Sequence, residues 1–489
     1  MPAASGAYGG LRLEAHKERS TAQPIAVAAA PTHAVLPLDQ HAGGPAIPLV
    51  EVGAVVSVGE PIARPGSEIS AWLHAPISGR VVALEPRPAP HHGGKPALSI
   101  VIENDGRMTR AQSNAPIDYA SCDPLELREH IGRGGIVGLG GAAFPTSAKL
   151  ANCRGAESIR LLVNGAECEP YISCDEMLMH ERAHDILFGV RVLARAVQAS
   201  ECVIAIEADT PRAEHPLRRA IAESGDSSIR LEIVPNIYPA GGERQLIAAV
   251  FGSEVPYSGL PTDIGIVCQN VGTVAAIARW IRDGQPLISR IVTVTGDGVH
   301  EPRNLEVLLG TPASQLIAQC GGYTPRISRL IMGGTMMGVA LASDEVPIVK
   351  GTNCLLAASP LDLQPRAPEM PCIRCGNCSE VCPAMLLPQQ LHLNAQALDL
   401  DGLERYGLMD CIECGCCDYV CPSQIPLVER FRQAKPHLAR HLLARSDARD
   451  ARLRYEQRAA RLQRLEAEQR ERLEEKRRQA RSRSGPGSD

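Results

Sequence analysis

Between Cys372 and Cys421 the chain places nine of its 17 cysteines, and eight of them spell one phrase twice. The first copy runs Cys372-x2-Cys375-x2-Cys378-x3-Cys382-Pro383 and the second Cys411-x2-Cys414-x2-Cys417-x3-Cys421-Pro422. Three thiolates spaced in this way wrap one corner of an iron–sulfur cubane, while the fourth, ahead of proline, leaves the loop and reaches the other cluster. The pattern predicts two 4Fe-4S clusters. One is held by Cys372, Cys375, Cys378 and Cys421, the other by Cys411, Cys414, Cys417 and Cys382, and the crossover ties both halves into one small domain. A zinc ribbon uses paired knuckles and four tetrahedral ligands, so it needs neither the third cysteine nor the Cys-Pro ending. Cys416 lies inside the second phrase but off its register, a neighbour able to tune its cluster. Gly376 and Gly415 suit tight turns that aim amides at cluster sulfurs. The remaining eight cysteines, from Cys122 to Cys354, are scattered and read as ordinary reduced thiols of a reducing compartment.

A pair of clusters is a wire, and 489 residues leave room for whatever stands at its ends. The net charge of −5 exerts no general pull on nucleic acid, and an aromatic content of 3% argues against a base-stacking surface. No stretch reaches the roughly 18 consecutive apolar residues of a membrane span. Met1 to Ser20 lacks the apolar core and cleavage site of a secretory signal, so the expected location is cytoplasmic.

Upstream, Asp123-Pro124-Leu125-Glu126 has the form of a capped helix start. The loop that follows carries Gly132, Gly134, Gly135, Gly138, Gly140 and Gly141 before a helical segment at 146–153. Bare amides at a helix start, with Arg133 and Lys149 nearby, make an anion site of the kind nucleotide cofactors use. Gly138-x-Gly140-x-x-Ala143 matches the dinucleotide fingerprint but follows a helix, where that fingerprint should follow a strand. Residues 159–164 form a strand that runs into Glu167-Cys168-Glu169-Pro170, with Asp175 and Glu176 close behind; acids at a strand end can meet a ribose or a nicotinamide amide. Alternating helices (183–199, 217–223) and strands (201–207, 230–235) predict α/β wiring. Gly241-Gly242-Glu243 and Gln269-Asn270 open two further helices.

These residues resemble the FMN and NADH site of the flavin subunit of respiratory NADH:quinone oxidoreductase. Joined to a tandem ferredoxin domain, the chain is similar to the C subunit of the Rnf/Rsx electron transport complexes, over roughly residues 40 to 430. Supporting phrases are His74-Ala-Pro-Ile-Ser-Gly-Arg-Val81, Ile331-Met-Gly-Gly-Thr-Met-Met-Gly338 and Lys350-Gly-Thr-Asn-Cys354. The resemblance implies that Gly138, Gly140, Gly141, Phe144 and Lys149 line FMN, with Lys149 near the phosphate and Phe144 near the nicotinamide. It further implies that Asn164, Glu167, Gly241 and Asn270 complete the flavin pocket, and that Glu169 and Glu243 contact NADH as the catalytic acids. Ala143 stands where the flavin subunit has glycine, and Gly242 where it has an acid.

The implied architecture is a multidomain α/β plus β chain. Residues 1–122 form a barrel-sandwich hybrid of biotinyl/lipoyl type without a carrier lysine, the first later lysine being Lys95. Residues 123–284 form a Rossmann-like FMN/NADH domain. A β-grasp (SLBB) domain and linker occupy 285–360, a two-cluster ferredoxin domain 361–435, and a charged helical tail 436–489, locally basic from Lys476 to Arg483. His91 and His92 sit in a solvated Pro/Gly loop, and Met332, Met336 and Met337 pack without ligating. The implied function is that of a translocase-type oxidoreductase subunit, peripheral on the cytoplasmic side of the cell inner membrane. It passes electrons between NADH and ferredoxin through FMN and two 4Fe-4S clusters, and its partners are integral membrane and ferredoxin-like subunits. The alternatives are a non-catalytic iron–sulfur docking or carrier subunit and a soluble flavin–iron–sulfur NADH dehydrogenase.

Overall fold

The computed structural model describes residues 8–90, 94–111, 116–153, 158–257, 259–363 and 367–483. His91, His92 and the Ser/Gly/Pro-containing end from 484 lie outside the described residues. The chain divides into two compact units: residues up to 386 with 412–425, and 387–411 with 426–489.

In the first unit, β1 (Ala26–Val27) precedes the small sheets. Alternating apolar residues build β2 (His33–Pro37), β3 (Ile47–Pro48), β4 (Val55–Val56), β5 (Pro61–Arg64), β6 (Leu73–His74), β7 (Gly79–Arg87) and β8 (Ala97–Asn104). They form a four-stranded antiparallel sheet, β2-β8-β7-β4, and a three-stranded one, β3-β5-β6. Lys95 is exposed just before β8, in the connection that joins it to its antiparallel neighbour β7. Within the stretch that sequence reading grouped with this module, β1 pairs in parallel with a strand of the β-grasp sheet, Ala26 opposite Leu305.

Next come α1 (Pro124–Arg133), whose Asp123 cap accepts from the amides of Leu125 and Glu126, and α2 (Thr146–Ala151). The α/β domain then alternates β9 (Ile159–Gly165), α3 (Cys174–Glu181), α4 (Ala183–Val197), β10 (Ala199–Glu207), α5 (Pro211–Ser224), β11 (Ile229–Val234), α6 (Glu243–Phe251), β12 (Ile266–Asn270) and α7 (Val271–Asp283). Its strands are all parallel in the order β11-β10-β9-β12. Successive residues of a strand face opposite ways, so both sheet faces need covering. Leu161 and Val163 pack under α4 and α7 with Val190, Leu193, Val274 and Ile277, whereas Leu162 packs with Leu246 and Ile247 of α6.

The β-grasp region holds β13 (Ser289–Thr295), β14 (Arg303–Leu308), α8 (Ala313–Gln319), β15 (Arg329–Met332), β16 (Val339–Ala340) and β17 (Cys354–Ala358), in the mixed order β1-β14-β13-β17-β15-β16. Two short helices, α9 (Asn377–Glu380) and α12 (Cys416–Tyr419), each begin one residue after Gly376 and Gly415 and pack on one another.

The second unit contains α10 (Pro388–Ala397), α11 (Leu400–Arg405) and the 57-residue α13 (Leu427–Arg483). Its core is Leu391, Leu403, Leu408, Phe431 and Leu438. Beyond 443 nearly every residue of α13 is exposed, and intrahelical pairs such as Arg452–Glu456 are the form that solvated charge takes. Cys411 belongs to this unit, where its carbonyl accepts from Lys435 Nζ at 2.6 Å.

Candidate functional site

In a parallel sheet ordered 3-2-1-4, the first and fourth strands send their connections to opposite faces, and a crevice opens at their carboxyl ends. Here those strands are β9 and β12, and Asn164, next to last in β9, stands in register beside Asn270, the last residue of β12. Lys149, from α2, reaches into this crevice. Its ammonium donates to Glu243 Oε1 at 2.5 Å and to the Cys268 carbonyl at 2.7 Å. Asn164 donates from Nδ2 to the Gly241 carbonyl (2.8 Å) and accepts from the Ala166 amide (3.0 Å), which ties the end of β9 to the turn before α6. Gly241 has no room for a side chain, since a Cβ there would lie 2.1 Å from the Ala166 carbonyl oxygen. Asn270 caps α7 by accepting from Gly272 and Thr273, donates to Asp175 (2.5 Å), and borders Gly140.

The glycine loop is closed on itself. Val137 bridges Pro145, Gly138 N–H donates to the Phe144 carbonyl (2.8 Å), and Ala143 N–H donates back to Gly138 (3.1 Å). Thr273 Oγ1 accepts from the Leu139 amide, and buried Arg290 donates to the Leu139 carbonyl (3.0 Å). Buried Lys350 donates to the Gly135 carbonyl (2.7 Å) and to that of Trp72 (2.6 Å). Two cations thus take up inward-facing carbonyls of the segment. Gly140, Gly141 and Ala142 are exposed, and among the described residues no hydrogen bond issues from their amides. An open row of amides flanked by an ammonium fits a phosphate. Ala143 holds the left-handed conformation (φ 47°) that glycine would adopt, and its methyl is buried toward Gly351.

The structure therefore brings Gly138, Gly140, Gly141, Lys149, Asn164, Gly241, Glu243 and Asn270 to one crevice, with half-buried Phe144 at the base of the loop. Two other acids named from sequence are held elsewhere. Glu167 turns inward and its carboxylate accepts from the amides of Asp175 (3.0 Å) and Glu176 (3.2 Å) and from the Cys174 thiol, anchoring the N-terminus of α3. Glu169 accepts from the amides of Met336 (2.7 Å) and Met337 (3.0 Å) in the Met-Gly-Gly turn. Burial pushes its pKa up, opposed by those two amides. Met336 packs, Met332 accepts from Thr352 through its sulfur, and Met337 is largely exposed.

Sequence reading missed the charge that balances these acids. Lys17 is buried, donates to the Glu167 carbonyl at 2.6 Å and lies 3.9 Å from Glu207 at the end of β10. Burial alone would depress its pKa, but Glu167, Glu207, Glu176 and Asp209 outweigh burial and raise it. Burial lifts Glu207 to about 7, and burial together with Glu167 raises Asp175. No local signal marks Lys17, whose nearest partner is 150 residues away in sequence.

The two cysteine phrases form matching loops. Arg374 and Glu413, placed alike in the two phrases, both have φ 57°, and Met385 and Gln424 have 52° and 53°. Cys372, Cys375, Cys378 and Cys421 all lie in the first unit, as do Cys382, Cys414 and Cys417. A single zinc ion would draw its sulfurs to within about 4 Å of one another, given a Zn–S distance near 2.3 Å. Among the described residues the only group of three or more potential ligands gathered closely enough to hold one ion is Glu167, Cys174 and Asp175, which serve α3. An all-thiolate set on two wide loops fits iron–sulfur clusters.

Comparison with known proteins agrees with this layout. Residues 6–107 match the RnfC barrel sandwich hybrid domain, 131–279 the Nuo51 FMN-binding domain, 291–340 the SLBB domain and 371–425 the 4Fe-4S dicluster domain. The C subunit of the ion-translocating oxidoreductase complex of Pseudomonas aeruginosa is 49% identical, over 94% of this chain and 59% of its own length. That of Rhodobacter capsulatus is 42% identical over 88% and 83%, and that of Vibrio cholerae 42% over 96% and 60%. The chain thus spans about three fifths of two of these relatives and most of the third. Among solved structures, an NAD+-reducing nickel–iron hydrogenase in its H2-reduced state aligns with 65% of this chain and 64% of its own at 19% identity, with a TM-score of 0.46.

Proposed function

This chain belongs to the family formed by the C subunits of ion-translocating oxidoreductase complexes, and from that premise we propose that it is the peripheral electron-transfer subunit of such a complex. It couples electron flow between NADH and ferredoxin to ion translocation, a translocase-type oxidoreduction, using FMN and two 4Fe-4S clusters. Among the described residues no helix is long and apolar enough to cross a membrane. In this reading the chain sits on the cytoplasmic face of the inner membrane, held there by integral and ferredoxin-like partner subunits.

The observation that carries this reading is that the flavin-type crevice and seven of the eight assigned cluster cysteines, all but Cys411, are parts of one compact unit, joined by the turn 238–241. Tyr238 donates to the Cys414 carbonyl at 2.6 Å, and three residues on, Gly241 accepts from Asn164. FMN, when bound, supplies the exchange between two-electron and one-electron transfer that nicotinamide and clusters cannot make alone. The amides of Gly140, Gly141 and Ala142 and the Lys149 ammonium would hold its phosphate, and Asn164, Gly241 and Asn270 would wall the ring. Glu243 holds the Lys149 ammonium in the crevice through its hydrogen bond. Glu169 is half-buried and fixed by the Met336 and Met337 amides, so a contact with NADH would have to be made from that turn and not from the crevice. Ala143 retains the glycine conformation with its methyl turned inward, which supports an intact flavin loop over the non-catalytic alternative.

The test is to reconstitute the chain with iron, sulfide and FMN and to add NADH under anaerobic conditions. Flavin bleaching followed by cluster bleaching is expected. An unchanged visible spectrum with all cofactors bound refutes NADH oxidation by this subunit.

A further inference from the structure

The two cysteine loops share a backbone and differ in what covers them. In the first, Cys372, Cys375 and Asn377 are exposed, and Ile373 is 65% exposed. In the second, Cys414 and Cys417 are buried and Cys416 is fully so. Ile412, at the place of Ile373, packs with Leu11, Leu13, Cys168, Tyr238, Met336 and Val381 over the Cys414 side. Cys416 takes the place of Asn377 and, two residues from Cys414, packs with it and with Tyr238 in one buried cluster. Tyr238, 2% exposed, donates its hydroxyl to the Cys414 carbonyl at 2.6 Å. Cys382, assigned to the same cluster by the crossover rule, is also buried, and its sulfur accepts from the Leu386 amide.

Reduction adds one negative charge to a cluster. In an apolar shell that charge is penalised unless donors face the sulfurs, and each donor raises the potential. We propose that Cys416 and Tyr238 are positioning residues that raise the potential of the buried cluster, whose ligands include Cys382, Cys414 and Cys417. Cys416 does so through a hydrogen bond to a ligand sulfur, and Tyr238 by fixing the Cys414 peptide against the turn that continues to Gly241. Of the ligands assigned to the other cluster, Cys372 and Cys375 are exposed and Cys378 and Cys421 half-buried. The proposal rests on the reading of the repeat as two 4Fe-4S clusters.

The experiment is an EPR-monitored redox titration of the reconstituted full chain, with a dysprosium chelate in solution to broaden the signal of the exposed cluster and so identify the protected one. In Cys416→Ala the reduced-to-oxidised ratio of the protected cluster should fall about tenfold at a fixed potential, equivalent to about 59 mV for one electron. The exposed cluster should stay in place. Cys416→Ser, which keeps a donor, should restore most of the shift, and Tyr238→Phe should move the protected cluster in the same direction. The proposal is overturned if the protected midpoint is unchanged in Cys416→Ala and Tyr238→Phe, or if both clusters move together. It is also overturned if Cys416→Ala loses a cluster by iron content while Cys417→Ala keeps it, which would make Cys416 a ligand. A wild-type protein without two 4Fe-4S signals would instead refute the cluster assignment itself.

Discussion

Lys350 should make the junction beneath the glycine loop weaker at low pH, and Lys350→Met should abolish that dependence. The ammonium is fully buried, meets two carbonyls and, among the described residues, forms no ion pair with a carboxylate. Burial lowers its pKa from 10.5 to about 7. Above pH 10.5 the lysine is neutral whether folded or unfolded and exacts no penalty. As pH falls from there the unfolded chain takes up a proton that the folded one refuses, so stability declines until about pH 7 and is level below it. At 1.36 kcal/mol per pH unit the full penalty is about 5 kcal/mol at pH 6 and about 2 kcal/mol at pH 9, a difference of about 3 kcal/mol. Methionine removes that penalty but leaves the Trp72 and Gly135 carbonyls without donors, at about 1–3 kcal/mol each. The variant should therefore be clearly less stable than wild type at pH 9 and close to it at pH 6. The assay is urea unfolding followed by tryptophan fluorescence, which is local to this junction. The chain has two tryptophans: Trp72 supplies one of the carbonyls, and Trp280 packs against Gly134 and donates to the His130 carbonyl at 2.6 Å. Buried His74, lowered by burial to about 3, adds a separate loss of stability between about pH 6.5 and 3, so the titration stays above pH 6. A wild-type midpoint that is flat from pH 6 to 9, or a variant with the same slope as wild type, would refute the reasoning.

Gly241→Ala should cost about 2–4 kcal/mol and weaken FMN binding, because the new Cβ drives the turn off the Ala166 carbonyl and breaks the Asn164 hydrogen bond; flavin fluorescence titration and urea unfolding check it. Ala143→Gly should stabilise the protein by up to about 1 kcal/mol by relieving a left-handed alanine, offset in part by the greater entropy of the unfolded chain, with FMN affinity retained; an unchanged or lower urea midpoint counts against the strain. Lys17→Met should cost about 3–5 kcal/mol at pH 8 by leaving Glu207 and its neighbours without a buried counter-ion. That cost should shrink toward pH 6 as Glu207, already lifted to about 7, takes up a proton; a pH-independent loss in denaturation midpoints would show that charge is not the cause.

The sequence by itself determined what is written in short-range spacing. Cysteines at i, i+3, i+6 and i+10 point to loops around clusters, in keeping with the 4Fe-4S dicluster domain matched there, and Asp123-Pro124 caps α1 as its residue types require. Apolar runs bounded by turn residues located β9, β10 and β11 to within two residues, because period and capping are local properties of the chain. The glycine loop was legible as an anion cradle for the same reason. Tertiary structure alone decided what each charged group faces. Glu167 and Glu169 stand two residues apart on one acidic segment, yet one anchors α3 and the other is seized by the Met336 and Met337 amides, 167 and 168 residues away from it. Lys17 and Arg290 carry no motif and Lys350 only opens a phrase of the resemblance, and the importance of all three comes from burial against carbonyls and acids that the fold delivers from distant segments. Strand β1 is two residues long, too short to declare its sheet, and only the free edge of β14 gives it one. The repeat looks nearly symmetric as a sequence, and the fold breaks the symmetry by laying Tyr238, Leu11 and Met336 over one loop and leaving the other in water. Spacing sets which atoms can bind a cluster, whereas dielectric and hydrogen bonding around it depend on neighbours that no local pattern records.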